Sequence, residues 1–142
     1  MRSERKLFFW CGIFTSGGAV KKDWIEVLQL LKPGFEIWLI VDINKDDFEQ
    51  ISGSSELAAF FNKVMYLTED EAKAPGVFDL IIGEACASMM ECLVFDHNLR
   101  RAVASINHRL PAAIILGSEH LYREFLLRKL TEQEYVMHKR PV

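Results

Sequence analysis

The sequence has few cysteines, little excess charge and no long apolar run. Its three cysteines are an odd number at scattered positions, which argues against a disulfide framework as the basis of the fold. The net charge of -3 provides no basic surface, so we expect no nucleic acid among its partners. No apolar stretch approaches the roughly 20 residues that span a bilayer, so we expect no membrane partner. Together these absences predict a soluble, cytoplasmic protein in a reducing compartment.

The composition that remains is that of a globular domain. The chain has 142 residues, of which 50% are hydrophobic and 26% charged, far from the composition of disordered chains. A chain of this length is near the common size of one domain and buries roughly two thirds of the surface that it exposes when unfolded. We see no internal repeat, low-complexity tract or linker. We therefore predict a single domain over residues 1–142.

Apolar runs alternate with stretches of helical spacing along the chain. A strand that is covered on both faces is apolar at consecutive positions, because neither face meets water. We expect the main runs to lie side by side and parallel: Leu7–Phe14, Phe35–Val41, Val77–Ile82 and Ala112–Leu116. Shorter strands are predicted at Val64–Leu67 and Tyr135–His138, and helices at Lys22–Lys32, around Leu57 to Val64, within Cys86–Ile106 and after Ser118. This order predicts a three-layer, doubly wound α/β fold with a mainly parallel, Rossmann-like sheet.

In such a sheet, ligands bind beyond the carboxyl ends of the strands, where the strand order reverses. The residues that follow the predicted strands are therefore the candidate binding residues: Thr15, Ser16, Gly17, Gly18, Asp42, Asp70 and Glu84, with Ser118 to His120 after the fifth strand. Each has a plainer interpretation, because the glycine turn can simply connect two elements and the acids can be solvated loop residues. Glu84 is a better candidate than Asp70, since it follows a predicted buried strand.

The cysteines and histidines give no sign of a metal site or a nucleophile. Cys86, Cys92, His97 and His108 have spacings that match no zinc signature, so we predict no metal. Cys11 lies inside the first predicted strand, where small apolar packing is the simpler interpretation. No cysteine has an identifiable electropositive neighbourhood of the kind that activates a thiol. We assign no catalytic residue from the sequence.

The order of these elements resembles class I S-adenosylmethionine-dependent methyltransferases. The likeness rests on the first strand and glycine turn, the second strand ending at Asp42, the acidic loop Glu69–Glu71, the run Val77–Ile82 and the stretch Asn98–Leu116. The resemblance implies a cofactor close to the glycine turn, with Asp42 on the ribose hydroxyls and Asp70 beside the adenine. The first strand has no acidic residue, and Gly12, Gly17 and Gly18 are not spaced as in that family.

A second resemblance is to response-regulator receiver domains. Asp79–Glu84 resembles their third strand, with Glu84 at the position of the phosphorylated aspartate. Leu110–Leu116 resembles their fourth strand, and His138–Pro141 resembles their lysine-proline end. A receiver of this sequence would lack the clustered carboxylates that hold a metal for phosphoryl transfer.

Two hypotheses of function follow. The first is a non-catalytic protein-interaction or regulatory module on a degenerate methyltransferase-like or receiver-like scaffold. For this module we expect no cofactor and a protein partner, for which a second copy of the chain is one candidate. The alternative is a small S-adenosylmethionine-dependent methyltransferase or a nucleotide-binding enzyme. The glycine spacing and the uncharged first strand favour the first hypothesis.

Overall fold

Short strands and helices alternate through the computed structural model, which describes residues 5–15, 18–20, 22–32, 34–85, 87 and 91–114. The strands are β1 (Arg5–Trp10), β2 (Phe35–Val41), β3 (Lys63–Tyr66), β4 (Cys92–Asp96) and β5 (Ala112–Ile114). The helices are α1 (Gly12–Thr15), α2 (Lys22–Leu31), α3 (Lys45–Glu49), α4 (Ser54–Ala59), α5 (Glu69–Lys73), α6 (Val77–Ala85) and α7 (Leu99–Asn107).

The five strands form one parallel sheet in the order β3-β2-β1-β4-β5. β1 lies at its centre, where Phe8 is paired with Trp38 on one side and Val94 on the other. This is the strand order of the first five strands of the Rossmann arrangement, and it differs from the 2-1-3-4-5 order of receiver domains. The prediction of a parallel, Rossmann-like α/β fold is confirmed, whereas the receiver topology is wrong.

Successive side chains of a strand point to opposite faces of the sheet. In this sheet, helices cover both faces. Leu7 and Phe9 of β1 pack in one apolar cluster with residues of α2, while Phe8 and Trp10 pack in a second cluster with residues of α6. Both faces of β1 are thus fully buried from Leu7 to Trp10. The result is the three-layer arrangement that the uninterrupted apolar runs predict.

The predicted strand at Val77–Ile82 is wrong, because these residues belong to helix α6. Val77, Phe78, Ile81 and Ala85 are buried, and their spacing is that of one helix face. A short apolar run satisfies both a buried strand and a buried helix, and periodicity alone does not separate the two. Glu84, which was expected at the end of a strand, consequently lies on this helix.

The helix predicted within Cys86–Ile106 is also partly wrong. Cys92–Asp96 forms β4, whose five residues are all buried, and the α-helix among the described residues of this range is Leu99–Asn107. Tertiary burial on both faces favours the strand here, although the sequence is compatible with a helix. β4 therefore lies in the parallel sheet directly beside β1, whereas Val77–Ile82, which was expected in that sheet, does not belong to it.

The first strand is shorter than predicted, because it ends at Trp10 and residues Gly12–Thr15 form the short helix α1. The calls on Ser16, Gly17, Ser118 to His120 and Tyr135–His138 lie outside the described residues. Among the described helices, none has the length and apolar character needed to cross a membrane.

Candidate functional site

The carboxyl edge of the sheet is where a ligand crevice is expected, and the strand order reverses between β1 and β4. Gly12 is the second residue after β1, Asp42 is the first residue after β2, and Asp96 is the last residue of β4. The edge contains two adjoining regions that share Asp42 and Arg101. One is a closed charge cluster around Arg101, and the other is an open crevice between α5, α6 and α7, called the α5–α7 crevice below.

Arg101, on the first turns of α7, joins the ends of β2 and β4. Its Nε donates to Asp96 Oδ2 at 2.6 Å and its Nη2 donates to Asp96 Oδ1 at 2.8 Å, which is a two-pronged ion pair. Its Nη1 donates to Asp42 Oδ2 at 2.8 Å. All three terminal nitrogens are therefore used within the protein. The guanidinium also lies over the ring of Trp10, with Cζ 3.5 Å from the ring centroid.

The cluster is buried, so each charge in it is stabilised by the opposite charge beside it and not by water. The Asp96 side chain is fully buried, and only 13% of the Arg101 side chain is exposed. Burial by itself would lower the pKa of Arg101, but hydrogen bonds and charge from Asp96, and then from Asp42, outweigh that effect and raise the pKa above its ordinary value. Arg101 is therefore a permanent cation whose main contacts are structural.

The space above the turn after β1 is occupied by His97. A Cβ atom at Gly12 would lie 2.0 Å from His97 Cε1, so only glycine permits this approach. His97 Nδ1 lies 3.5 Å from Asp96 Oδ1 without a hydrogen bond. The imidazole thus fills the place at the strand-order reversal where a cofactor would come near the backbone.

Cys11 lies next to this cluster as a neutral thiol. Its Sγ–H donates to Asp42 Oδ1 at 3.3 Å, and burial, with the nearby Asp42 carboxylate, raises its pKa to about 12. A thiol with this pKa has almost no thiolate at neutral pH and is not an activated nucleophile. The interpretation of Cys11 as an inert buried residue agrees with this geometry.

The α5–α7 crevice is open and has a volume of about 910 Å³. One wall comes from the end of α5 and the start of α6, and the other from one flank of α7. Its lining residues are Asp42, Glu69, Ala72, Lys73, Ala74, Pro75, Val77, Phe78, Asn98, Arg100, Arg101, Ala104, Asn107 and His108.

Most of the charges in the crevice are paired with a protein neighbour. Lys73 Nζ donates to Glu69 Oε1 at 2.8 Å, and Arg101 is held by Asp42 as described above. Arg100 is exposed and makes no ion pair or hydrogen bond with a described residue. Among the described residues, Arg100 is therefore the cation of the crevice that has no hydrogen-bond or ion-pair partner.

His108 closes the far end of the crevice, just after α7. Its Nε2 lies 2.8 Å from Asp79 Oδ1 of α6, and its ring lies 5.9 Å from the ring of Phe78. Its side chain is 35% exposed. The Asp79 contact orients the imidazole and uses Nε2. The other ring nitrogen, Nδ1, has no hydrogen-bond partner among the described residues.

Of the predicted binding residues that the structure describes, only Asp42 lines the crevice. The Thr15 hydroxyl donates to the carbonyl of Cys11 at 3.1 Å, and Gly18 is exposed with a φ of 81°. Asp70 is exposed in the first turn of α5, where its neighbour Glu69 reaches the crevice instead. Glu84 lines a separate groove of about 280 Å³ beside the edge strand β3. The described members of the predicted set therefore lie apart.

Several residues of the site were missed by the sequence interpretation, namely Lys73, Asp96, Arg100, Arg101 and His108. The signal for Asp96 was available, because it ends an apolar run from Cys92 just as Asp42 ends the run from Phe35. No group of three or more histidine, cysteine, aspartate or glutamate side chains with the geometry of a metal site occurs within the described ranges.

The comparisons with known proteins concern the fold. No protein-family model matches the sequence, and no curated protein matches it. An uncharacterised protein from Corynebacterium glutamicum has a similar structure, with a TM-score of 0.63, 15% identity, and coverage of 87% of this chain and 93% of that one. A haloacid dehalogenase-like family hydrolase from Xanthomonas campestris overlaps less, with a TM-score of 0.48, 16% identity, and coverage of 56% of this chain and 34% of that one.

The expectation of a non-catalytic interaction or regulatory module is corrected at this point. A parallel α/β fold of this kind hosts many unrelated functions, so the fold does not single out a non-catalytic role. The overlap with the hydrolase is too small to assign a reaction, and both likenesses show the fold alone. The structure itself adds an open crevice lined by Arg100, which the sequence interpretation lacked. What is established is therefore a Rossmann-like, parallel α/β fold with an open crevice at its carboxyl edge.

Proposed function

We propose that this protein is an enzyme whose substrate is a small anionic metabolite bound in the α5–α7 crevice. The observation that carries the proposal is the guanidinium of Arg100, which lines the crevice and pairs with no described residue. Lys73 pairs with Glu69, and Arg101 pairs with Asp42 and Asp96, so Arg100 is the cation of the crevice that a ligand anion can contact.

The walls suit the carbon part of a small molecule. The α5 and α6 side contributes Ala74, Pro75, Val77 and Phe78, and the α7 side contributes Ala104. A volume of about 910 Å³ lies within the range of roughly 300–1,000 Å³ that is usual for small-molecule sites. A partly apolar crevice with a few charged groups is the usual form of such a site.

The pair of His108 and Asp79 supports catalysis as well as binding. An imidazole oriented by a carboxylate is the common arrangement for transferring a proton near neutral pH. In this protein, Asp79 holds one ring nitrogen of His108, and His108 lines the crevice. His108 is the group to which we assign proton transfer.

Calorimetric titration with inorganic phosphate, sulfate and pyrophosphate tests the binding part of the proposal. Arg100→Gln should weaken binding about tenfold, which corresponds to ~1.4 kcal/mol for one charge-assisted contact. Lys32→Gln, which removes an exposed cation just after α2, is the matched control and should leave binding unchanged. Absence of binding for all three anions, or an equal loss in both variants, would contradict the proposal.

A methyltransferase is the second candidate, because Asp42 lines the crevice at the position that the family resemblance assigns to a ribose-binding acid. Under the first candidate no resident cofactor is expected, and S-adenosylmethionine is expected only under the second. The imidazole of His97 against Gly12 disfavours the second candidate, since the cofactor would need that space.

A protein partner, including a second copy of this chain, also remains a proposal. One flank of α7 carries the exposed apolar side chains of Leu99, Val103 and Ile106. Exposed apolar clusters are common in protein contacts. Sedimentation equilibrium of the purified protein, and of a Val103→Ser variant, would show whether this flank supports self-association.

A further inference from the structure

The strand β3 lies at one edge of the sheet as far as the structure describes the chain. It pairs with β2 on one side, and no described strand pairs with its other side. In a parallel ladder, alternate residues of a strand direct their N–H and C=O groups to the same neighbour. Leu67 N donates to Val41 O of β2 at 2.9 Å, so Val64 and Tyr66 direct their backbone groups away from β2. The outer edge of β3 thus presents backbone donors and acceptors that no described strand uses.

This edge borders the groove of about 280 Å³ that Glu84 lines, called the β3 groove below. All residues from Lys63 to Leu67 line the groove, so it follows the strand along its whole length. The opposite wall includes Leu80 and Glu84 of α6, which are four residues apart and therefore lie on one face of that helix. An extended peptide can add to an exposed strand edge as a further strand, and the adjacent surface then selects its side chains.

The charges of the β3 groove favour a basic peptide. Glu84 is exposed and makes no hydrogen bond or ion pair with a described residue. Glu71 is also exposed, and its Oε1 accepts from Thr68 N at 2.9 Å. Lys63, on the strand side, lies over the ring of Trp38, with Nζ 5.2 Å from the ring centroid. The helix side of the groove therefore presents two carboxylates to the side chains of a ligand.

We propose that the β3 groove binds an extended segment of a protein partner that carries basic side chains, and that this segment pairs with β3 as an additional strand. Main-chain hydrogen bonds to Val64 and Tyr66 provide the pairing, and the carboxylates of Glu71 and Glu84 select lysine or arginine. The β3 groove and the α5–α7 crevice share no lining residue. The inference therefore goes beyond the proposed function and does not depend on it.

Amide hydrogen exchange measured by NMR tests the strand pairing directly. The probe is a capped hexapeptide in which lysine and threonine alternate, so that its lysine side chains share one face. At about ten times its dissociation constant, this peptide should slow the exchange of the Val64 and Tyr66 amides about tenfold, because exchange then proceeds from the free fraction of the protein. The amides of Met65 and Leu67 should change little, since they are directed to β2. Slow exchange of Val64 and Tyr66 without the peptide, or no change on its addition, would overturn the proposal.

Two further peptides separate the backbone contribution from the charge. Fluorescence anisotropy of the labelled peptides would give their dissociation constants. The same peptide with N-methyl groups on its backbone should bind at least tenfold more weakly, because it loses two or more hydrogen bonds. A peptide with glutamate in place of lysine should also bind at least tenfold more weakly. Equal affinity of the N-methylated peptide would contradict strand pairing, and equal affinity of the glutamate peptide would contradict the basic ligand.

A variant of the helix wall locates the charge contact. Glu84→Gln should weaken binding of the lysine peptide about threefold, which is the size of one exposed ionic contact. Glu56→Gln, which removes an exposed acid in the first turn of α4 outside the groove, is the matched control and should leave binding unchanged. An equal loss in both variants would contradict a contact at Glu84. Anion binding in the α5–α7 crevice is measured separately, so failure of the peptides to bind leaves the proposed function standing.

Discussion

Arg100 and Arg101 are neighbours in the sequence and opposites in the structure. Arg101 makes three hydrogen bonds to Asp42 and Asp96 and lies over Trp10, whereas Arg100 is exposed at the crevice without a described partner. Consecutive helix residues point about 100° apart, so one guanidinium reaches the strand ends and the other reaches the crevice. One charge is thus paired inside the protein, whereas the next has no partner among the described residues.

The largest effect should come from removing the buried member of this pair. Arg101→Met would leave Asp96 as a buried carboxylate without its cation, and we expect a loss of about 3–5 kcal/mol in the free energy of unfolding. Arg100→Met is the matched control and should change stability by less than about 0.5 kcal/mol. Urea denaturation of both variants measures this, and equal stability losses would remove the distinction between the two arginines.

The substitution Gly12→Ala is a second test of the closed cluster. The added methyl group would overlap the His97 ring, and we expect a loss of about 1–3 kcal/mol, the usual cost of overpacking. His97→Ala should relieve most of that loss in the double variant, because the obstructing ring is gone. Thermal unfolding of the two single variants and the double variant gives the coupling; additive losses would mean that His97 is not the obstruction.

A smaller effect is expected from the thiol of Cys11. Burial raises its pKa to about 12, so the folded state holds this proton more tightly than the unfolded state does. The resulting stability is fully present below about pH 9 and is lost as the pH rises from there towards about 12. Between about pH 8 and pH 10.5, the wild type should lose roughly 1–2 kcal/mol more than Cys11→Ala. Parallel losses in both proteins would contradict the buried, neutral thiol.

The smallest expected signal is that of S-adenosylmethionine. With His97 against Gly12, we expect weak binding or none, because tight binding in this kind of fold requires backbone close to the cofactor. Calorimetric titration with S-adenosylmethionine and S-adenosylhomocysteine tests this. A low-micromolar dissociation constant that Asp42→Ala abolishes would make the methyltransferase the leading candidate.

The sequence predicted some parts of the fold better than others for a physical reason. β1 and β2 were predicted because aromatic and branched residues at consecutive positions are typical of strands that are covered on both faces. Val77–Ala85 and Cys92–Asp96 were exchanged, because each is a short apolar run that fits either a helix or a strand. Exchanging them moved Glu84 to the wrong place and hid Asp96.

The candidate site depended on that exchange even more than the fold did. Asp42 was predicted as a site residue because it follows a correctly predicted strand. Arg100, Arg101 and His108 are recognised as site residues only once α7 is placed after β4. By itself the sequence determined the alternation of buried runs and the parallel α/β class, because hydrophobic burial is recorded locally. Which arginine is buried, and which histidine faces a crevice, was decided by tertiary packing, since these depend on the contacts between elements far apart in the chain.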